Sequence, residues 1–189
     1  MTSKQDGEFD FDAIVDRVAT DSLKWAKYAS RGGPRGIIPL WVADMDFASP
    51  PAVLRALQQR VDHGVFGYNV PTASQVDAVV AYLERHFGWT IEPEWIVWLP
   101  GLVTGINVAC RAAGGQDDAV FTATPVYPPF LTAPGHGGRR LATAPLVRDS
   151  SGWLWDFPAC DAVLRGSRAG LFLLCHPHNP TGRVWSEDE

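Results

Sequence analysis

Apolar residues recur along this chain at two spacings, and each spacing predicts a type of element. From Ser49 to Gly64 the apolar positions are Val53, Leu54, Leu57 and Val61, which share one helix face. Ser49 suits the N-cap, Pro50 and Pro51 suit the first turn, and Gly64 suits the end. Ser74 to Phe87 repeats the pattern more strongly, through Val76, Val79, Val80, Leu83 and Phe87, with Gly88 as C-cap. Leu102 to Ala113 reads as a helix, and Phe11 to Val18 and Ala159 to Leu164 read as shorter ones. A short helix after Phe130 is expected to be interrupted near Pro134. Strand candidates are Trp95–Leu99, Ala119–Ala123, Arg139–Pro145 and Leu171–Cys175, with extended segments at Ile37–Val42 and Trp153–Asp156. The run Leu171–Cys175 has no polar alternation, so it reads as a strand buried on both faces, as in a parallel sheet covered by helices. Residues 1–10 read as loosely held, and Ser30 to Gly36 as a flexible loop. The order predicts an α/β fold, with a mostly parallel sheet from strands near Trp95, Ala119 and Ala169.

Composition narrows the partners. The chain has 189 residues, 46% of them hydrophobic, which supports one domain with a sizeable core. The net charge is −5 with both signs interspersed and no basic stripe, which argues against nucleic acid. No apolar run approaches the roughly 20 residues of a membrane span. The polar, acidic start lacks a signal-peptide core, so the reading is cytoplasmic. Cys110, Cys160 and Cys175 are an odd number without metal-type spacing, and they read as buried thiols in a reducing compartment.

The candidate chemistry sits where strands end. Leu171–Cys175 runs into His176-Pro-His-Asn-Pro-Thr-Gly182, a rigid loop in which Asn179 lies between two prolines. That asparagine either closes a turn or presents an aimed amide. Pro100-Gly101 before the helix at Leu102 is either an ordinary turn or a nest whose free N–H groups face an anion. Thr124 to Phe130 presents the ring of Tyr127 after another strand. An anion nest, a flat ring and an amide at successive strand ends suit a flat, phosphorylated, heteroaromatic ligand. His176 and His178 are too few to hold a metal, and no metal is expected. Asp44 and Asp46 read either as an acid–base pair or, preferably, as one turn cap and one solvated carboxylate. Arg183 reads equally as anion-binding or as a solvated or packing residue, and Tyr68 by itself as a core or interface aromatic.

Taken together, Trp41-Val-Ala-Asp-Met-Asp-Phe47, His63-Gly-Val-Phe-Gly-Tyr68, Thr124-Pro-Val-Tyr-Pro-Pro-Phe130 and Cys175-His-Pro-His-Asn-Pro-Thr-Gly-Arg-Val-Trp185 resemble the fold-type I pyridoxal-phosphate enzymes. Within that aspartate-aminotransferase superfamily they are most similar to the MalY/PatB branch of cystathionine β-lyases. The resemblance implies an aspartate-aminotransferase-like large domain in residues 46–189, incomplete, preceded in residues 1–45 by an arm and part of a small domain. It implies pyridoxal 5'-phosphate as cofactor. Tyr127 would stack on its ring, Asn179 would hydrogen-bond its phenolic oxygen, and the Leu102 and Val103 amides would hold its phosphate. Tyr68 would reach the phosphate of the other subunit, which implies a homodimer with shared sites. Ala43 would lie by the carboxylate of an amino-acid substrate. The implied reaction is β-elimination from cystathionine or another cysteine S-conjugate, giving a thiol, pyruvate and ammonia. Aminotransfer is the neighbouring alternative, and a non-catalytic truncated remnant is another.

The departures are specific. The family's Schiff-base lysine lies downstream, whereas the lysines here are Lys4, Lys24 and Lys27, so no catalytic residue is expected in this chain. The family's acidic partner of the pyridine nitrogen and its carboxylate-binding arginine also fall outside it. Pro134 stands where the family runs a helix, and His176 where it has a small or polar residue. Ser186 with Glu189 is a helix-start signal at the end of the chain, from which a sequence stopping in mid-domain is expected.

Overall fold

The structure, a computed structural model, describes residues 9–18, 20–29, 37–115 and 117–189. The predicted loop Ser30–Gly36 and most of the loosely held start lie outside the described residues. Contacts divide the chain into two compact units, Met1–Pro71 and Thr72–Glu189.

The first unit holds α1 (Leu23–Ala29) and α2 (Pro51–His63). Helix α2 ends as its sequence predicts, with Gly64 left-handed at φ 75°, but its N-cap is Pro50 rather than Ser49. Phe11–Val18 is not helical. Three of its eight residues are β-branched, Ile14 is fully exposed, and an isolated helix that short is unstable in water. Ile37–Val42 likewise forms no strand.

The second unit opens with α3 (Ala73–Phe87). Thr72 and Gln75 form a reciprocal capping box at its start, and left-handed Gly88 closes it. Trp95–Leu99 is not a strand. A short 3₁₀ turn occupies Pro93–Trp95, and among the described residues no backbone pairs with the segment that follows. An extended segment becomes a strand only when a neighbour takes up its N–H and C=O groups.

The sheet begins after α4 (Leu102–Ala112) with β1 (Ala119–Thr124). It continues through α5 (Pro128–His136), β2 (Leu141–Asp149), β3 (Gly152–Trp155), α6 (Phe157–Ser167) and β4 (Ala169–Phe172). Its order is β3-β2-β1-β4. Strand β1 pairs in parallel with β2 on one side (Val120 opposite Leu141) and with β4 on the other (Phe121 opposite Phe172). Strand β3 adds an antiparallel edge to β2. Period-2 alternation sends β1 side chains to both faces. Val120 joins Ile106 and Cys110 of α4 and Phe130 and Ala133 of α5, while Ala119 and Phe121 join Cys160 of α6. Helices therefore cover both faces, and β1 is the buried centre of an α/β layer structure.

Two expectations change here. Helix α5 runs through Pro134 to His136, with Pro134 buried inside it. Strand β4 lies at the sheet edge, and along it half-buried and exposed positions alternate instead of both faces being buried. Phe172 and Leu174 stay 48% and 50% exposed beside an apolar groove of about 470 Å³, which Phe121, Trp155 and Trp185 also line. Gly170 is needed in β4 because a Cβ there would stand 2.7 Å from an Asp118 carboxylate oxygen. Among the described residues no helix is long and apolar enough to cross a membrane.

Candidate functional site

Three segments converge on the core between α4, α5 and β1. Gly101 caps α4 with φ 153° and ψ 158°, a backbone conformation that is essentially glycine's alone. The first intrahelical bond of α4 runs from the Gly105 N–H to the Gly101 carbonyl, so the Leu102 and Val103 amides precede any internal acceptor. The helix thus starts with free donors and the positive end of its dipole. Val103 is 42% exposed and Leu102 more so.

Tyr127 is the N-cap of α5, directly after the carboxyl end of β1. Pro128 follows in the first turn, where its missing N–H costs nothing. Val126 and Phe130 are buried and leave the Tyr127 ring 37% exposed, edge-on to Phe130 at 6.5 Å. Beyond β4 the chain turns at Cys175, whose buried thiol accepts the Asn179 N–H at 3.3 Å. Cys175 belongs to the same core cluster as Ile106 of α4 and Val126 and Phe130 beside Tyr127. One core therefore packs against all three segments, and the Tyr127 and Asn179 loops follow the carboxyl ends of adjacent strands. Among the described residues none hydrogen-bonds the Tyr127 hydroxyl or the Asn179 side-chain amide. The three segments thus carry a ring, an amide and helix-start N–H donors, the kinds of group that a planar, anionic, heteroaromatic molecule needs.

The other candidates belong to the first unit. Ala43 is exposed, and Tyr68 is fully exposed in the loop after α2. Asp44 and Asp46 are both ion-paired rather than one of them capping a turn, and their side chains stay 38% and 40% exposed. Arg17 donates to Asp44 at 2.8 Å and to Asp46 at 2.8 Å, and the Lys24 ammonium donates to Asp46 at 2.5 Å and to the Asp44 carbonyl at 2.7 Å. The Trp25 indole adds a third donor to Asp46 at 3.0 Å. These donors, Lys24 first, hold Asp46 down at about 2. The sequence reading missed Arg17 and Lys24, because their partners lie 20 to 29 residues away and no periodicity links them. Lys24 is 6% exposed, and Lys27 lies over the Trp41 ring at 3.7 Å.

Arg183 is a packing residue. It bonds the Trp153 carbonyl at 3.0 Å and both Glu189 carboxylate oxygens, and it lies over the Trp185 ring. The Ser186–Glu189 box forms as a turn without a helix, with the Ser186 N–H on the Glu189 carboxylate at 2.9 Å. Burial pushes the Cys110 and Cys160 thiols up, which suits core residues. His178 Nε2 lies 2.8 Å from the Pro125 carbonyl, and His176 Nδ1 lies 3.4 Å from the Trp185 amide, so the two rings serve different partners.

The chain is 38% identical over 179 residues to cystathionine beta-lyase PatB of Bacillus subtilis, covering 95% of this chain and 46% of that protein. It is 33% identical over 183 residues to protein MalY of Escherichia coli, covering 96% and 47%. Among solved structures it matches OvoB at 45% identity and TM-score 0.85, over 96% of this chain and 46% of that one. It matches cystalysin of Treponema denticola, whose crystal structure contains pyridoxal 5'-phosphate, at 31% identity and TM-score 0.86, over 97% and 47%. The chain spans about half the length of the relatives it matches. The family model for aminotransferase class I and II matches residues 35–189. With that match over most of its length, and with a fold shared with fold-type I pyridoxal-phosphate proteins, the chain belongs to the aminotransferase class I and II family.

Proposed function

We propose that this chain carries the cofactor-facing part of a pyridoxal-phosphate-dependent carbon–sulfur β-lyase acting on cystathionine or a related cysteine S-conjugate. The observation that carries the reading is the placement of Tyr127 and Asn179, whose hydroxyl and side-chain amide have no hydrogen-bond partner among the described residues, on adjacent strand-end loops of one core. The likeness to a cystathionine beta-lyase and to a C–S lyase from Staphylococcus hominis supports it. Tyr127 would pack on the cofactor ring, the Asn179 amide would donate to the oxygen on that ring, and the Leu102 and Val103 amides would hold the phosphate. Bound there, the cofactor supplies an electron sink for the electrons left when the substrate α-proton departs. Ala43 would face the substrate carboxylate. Tyr68 would serve the phosphate of a second subunit in a homodimer, in a cytoplasmic enzyme. The C–S bond would then break, the thiol would leave carrying a proton, and the remaining three-carbon enamine would take up one water to give pyruvate and ammonia.

A second reading has its own observation: no lysine follows Lys27, and both described lysines are engaged within the first unit. This chain alone would then bind cofactor without turning over substrate. Loss of a positioned acid–base group is typically worth about 10²–10⁴-fold in rate. The test combines pyridoxal phosphate titration, read by tryptophan fluorescence, with an assay of pyruvate released from cystathionine. Tyr127→Ala and Asn179→Ala are each expected to weaken binding by roughly 5- to 10-fold, with no pyruvate released by any form. Equal binding by all three proteins would overturn the site. Turnover that Tyr127→Ala abolishes would instead show that Lys24 or Lys27 reaches it.

A further inference from the structure

His178 is 2% exposed and lies between the two strand-end loops. Its Nε2 is 2.8 Å from the carbonyl oxygen of Pro125. A carbonyl only accepts, so Nε2 carries the proton and donates it. Nδ1 is then a bare acceptor, buried and without a partner among the described residues. Its own backbone pins the ring. The His178 N–H donates to the Arg183 carbonyl at 2.7 Å, and the Gly182 N–H donates to the His178 carbonyl at 2.7 Å. Trp185 meets the imidazole edge-on with centroids 5.4 Å apart. Sheet pairing between the two segments stops earlier, at the Leu173 N–H on the Phe121 carbonyl and the Thr122 hydroxyl on the Leu173 carbonyl. Beyond it, among the described residues, the His178–Pro125 bond is the only hydrogen bond joining residues 124–130 to residues 174–182.

From this we infer that His178 is a positioning residue, which sets the separation of Tyr127 and Asn179 by tying their loops through Nε2–H. Asn179 is its next neighbour in sequence, and Tyr127 follows Pro125 at once after Val126. An apolar ring could fill the same space but could not fix the distance, because dispersion contacts are not directional. A buried imidazole with one nitrogen bonded and the other bare is a costly way to fill space, so the bonded nitrogen accounts for it. The inference rests on the reading of Tyr127 and Asn179 as cofactor-facing, and the test separates the two.

The experiment uses the full chain and three variants. His178→Gln keeps an N–H donor near the Nε2 position, His178→Asn carries an amide too short to reach Pro125, and His178→Phe keeps a ring without a donor. Long-range imidazole 1H–15N spectra are expected to show the Nε2–H tautomer at His178 in the wild type. Nuclear Overhauser contacts between residues 125–127 and 178–179 are expected in the wild type and in His178→Gln, and lost in His178→Asn and His178→Phe. Titration with pyridoxal phosphate is expected to weaken roughly tenfold in the last two and to recover within about threefold in His178→Gln. Circular dichroism identifies any variant that fails to fold; if His178→Phe does, the Gln and Asn variants decide alone. The Nδ1–H tautomer, or retained loop contacts and binding in His178→Asn, would overturn the inference. A wild type with intact loop contacts that binds no pyridoxal phosphate would sink the cofactor reading and leave the tie standing.

Discussion

Asp46 accepts from a lysine, an arginine and an indole, and its carboxyl is held at about 2. Because the folded value lies below the ordinary one, the carboxylate stabilises the first unit fully above the ordinary range near pH 4. That contribution is lost as pH falls from about 4 towards 2. Asp44 moves the same way, chiefly through its hydrogen bond with Arg17. The indole N–H signals of Trp25 and Trp41 should therefore lose dispersion between about pH 4 and pH 2. In Asp46→Asn the Trp25 signal should already be shifted at neutral pH. Signals that hold unchanged down to pH 2 in both proteins would show that the network does not organise this segment. Nothing in the local sequence marks the network. The Trp-Val-Ala-Asp-Met-Asp string shows two acids near each other, but their partners stand 20 to 29 residues earlier and only the folded chain brings them together.

Punctuation made several elements readable. Gly64, Gly88 and Gly101 act through backbone conformation, which depends on a few neighbouring residues, so α2, α3 and α4 follow from sequence. The Tyr127 and Asn179 loops were legible for the same reason, since prolines and strand ends mark them. Strands are pairings, and a pairing is not written in one segment. Trp95–Leu99 lacks a described partner and Leu171–Cys175 has one on a single side, so both departed from an expectation drawn from composition alone. His178 stood out in the sequence only as one of two histidines too few for a metal, because spacing cannot show which carbonyl a ring will meet. Gly101 offers a test at this scale. A Cβ there meets no atom within 4 Å, so Gly101→Ala isolates the backbone term. Its φ of 153° and ψ of 158° are glycine's, and alanine should lower the stability of the second unit by about 1–3 kcal/mol. A urea midpoint unchanged from wild type would mean that the cap relaxes without cost.

For the whole chain, apolar surface left open outweighs charge. The faces of α2 remain exposed through Val53, Leu54, Leu57 and Val61, and the β4 edge through Phe172 and Leu174. A net charge of −5 opposes association only weakly once salt screens it. Contiguous apolar patches beyond a few hundred Å² drive association, so sedimentation should show species heavier than the 20.6 kDa monomer, increasing with concentration. Phe172→Lys with Leu174→Glu should reduce them, and a strictly monomeric wild type would contradict this. The position of β4 also ties occupancy of the site to the lifetime of the sheet edge. The loop bearing Asn179 is held to the one bearing Tyr127 by strand pairing at Leu173 and by a bond across 53 residues, and an edge strand is the natural place for local opening. Opening there would separate the ring from the amide while β1, β2 and β3 stay paired. A ligand gripping both loops would then act as a clasp, and the exchange rate of the Leu173 amide would measure it. At a hundred times its Kd such a ligand should slow that amide by up to about a hundredfold, while amides in the β2–β3 pair keep their rates.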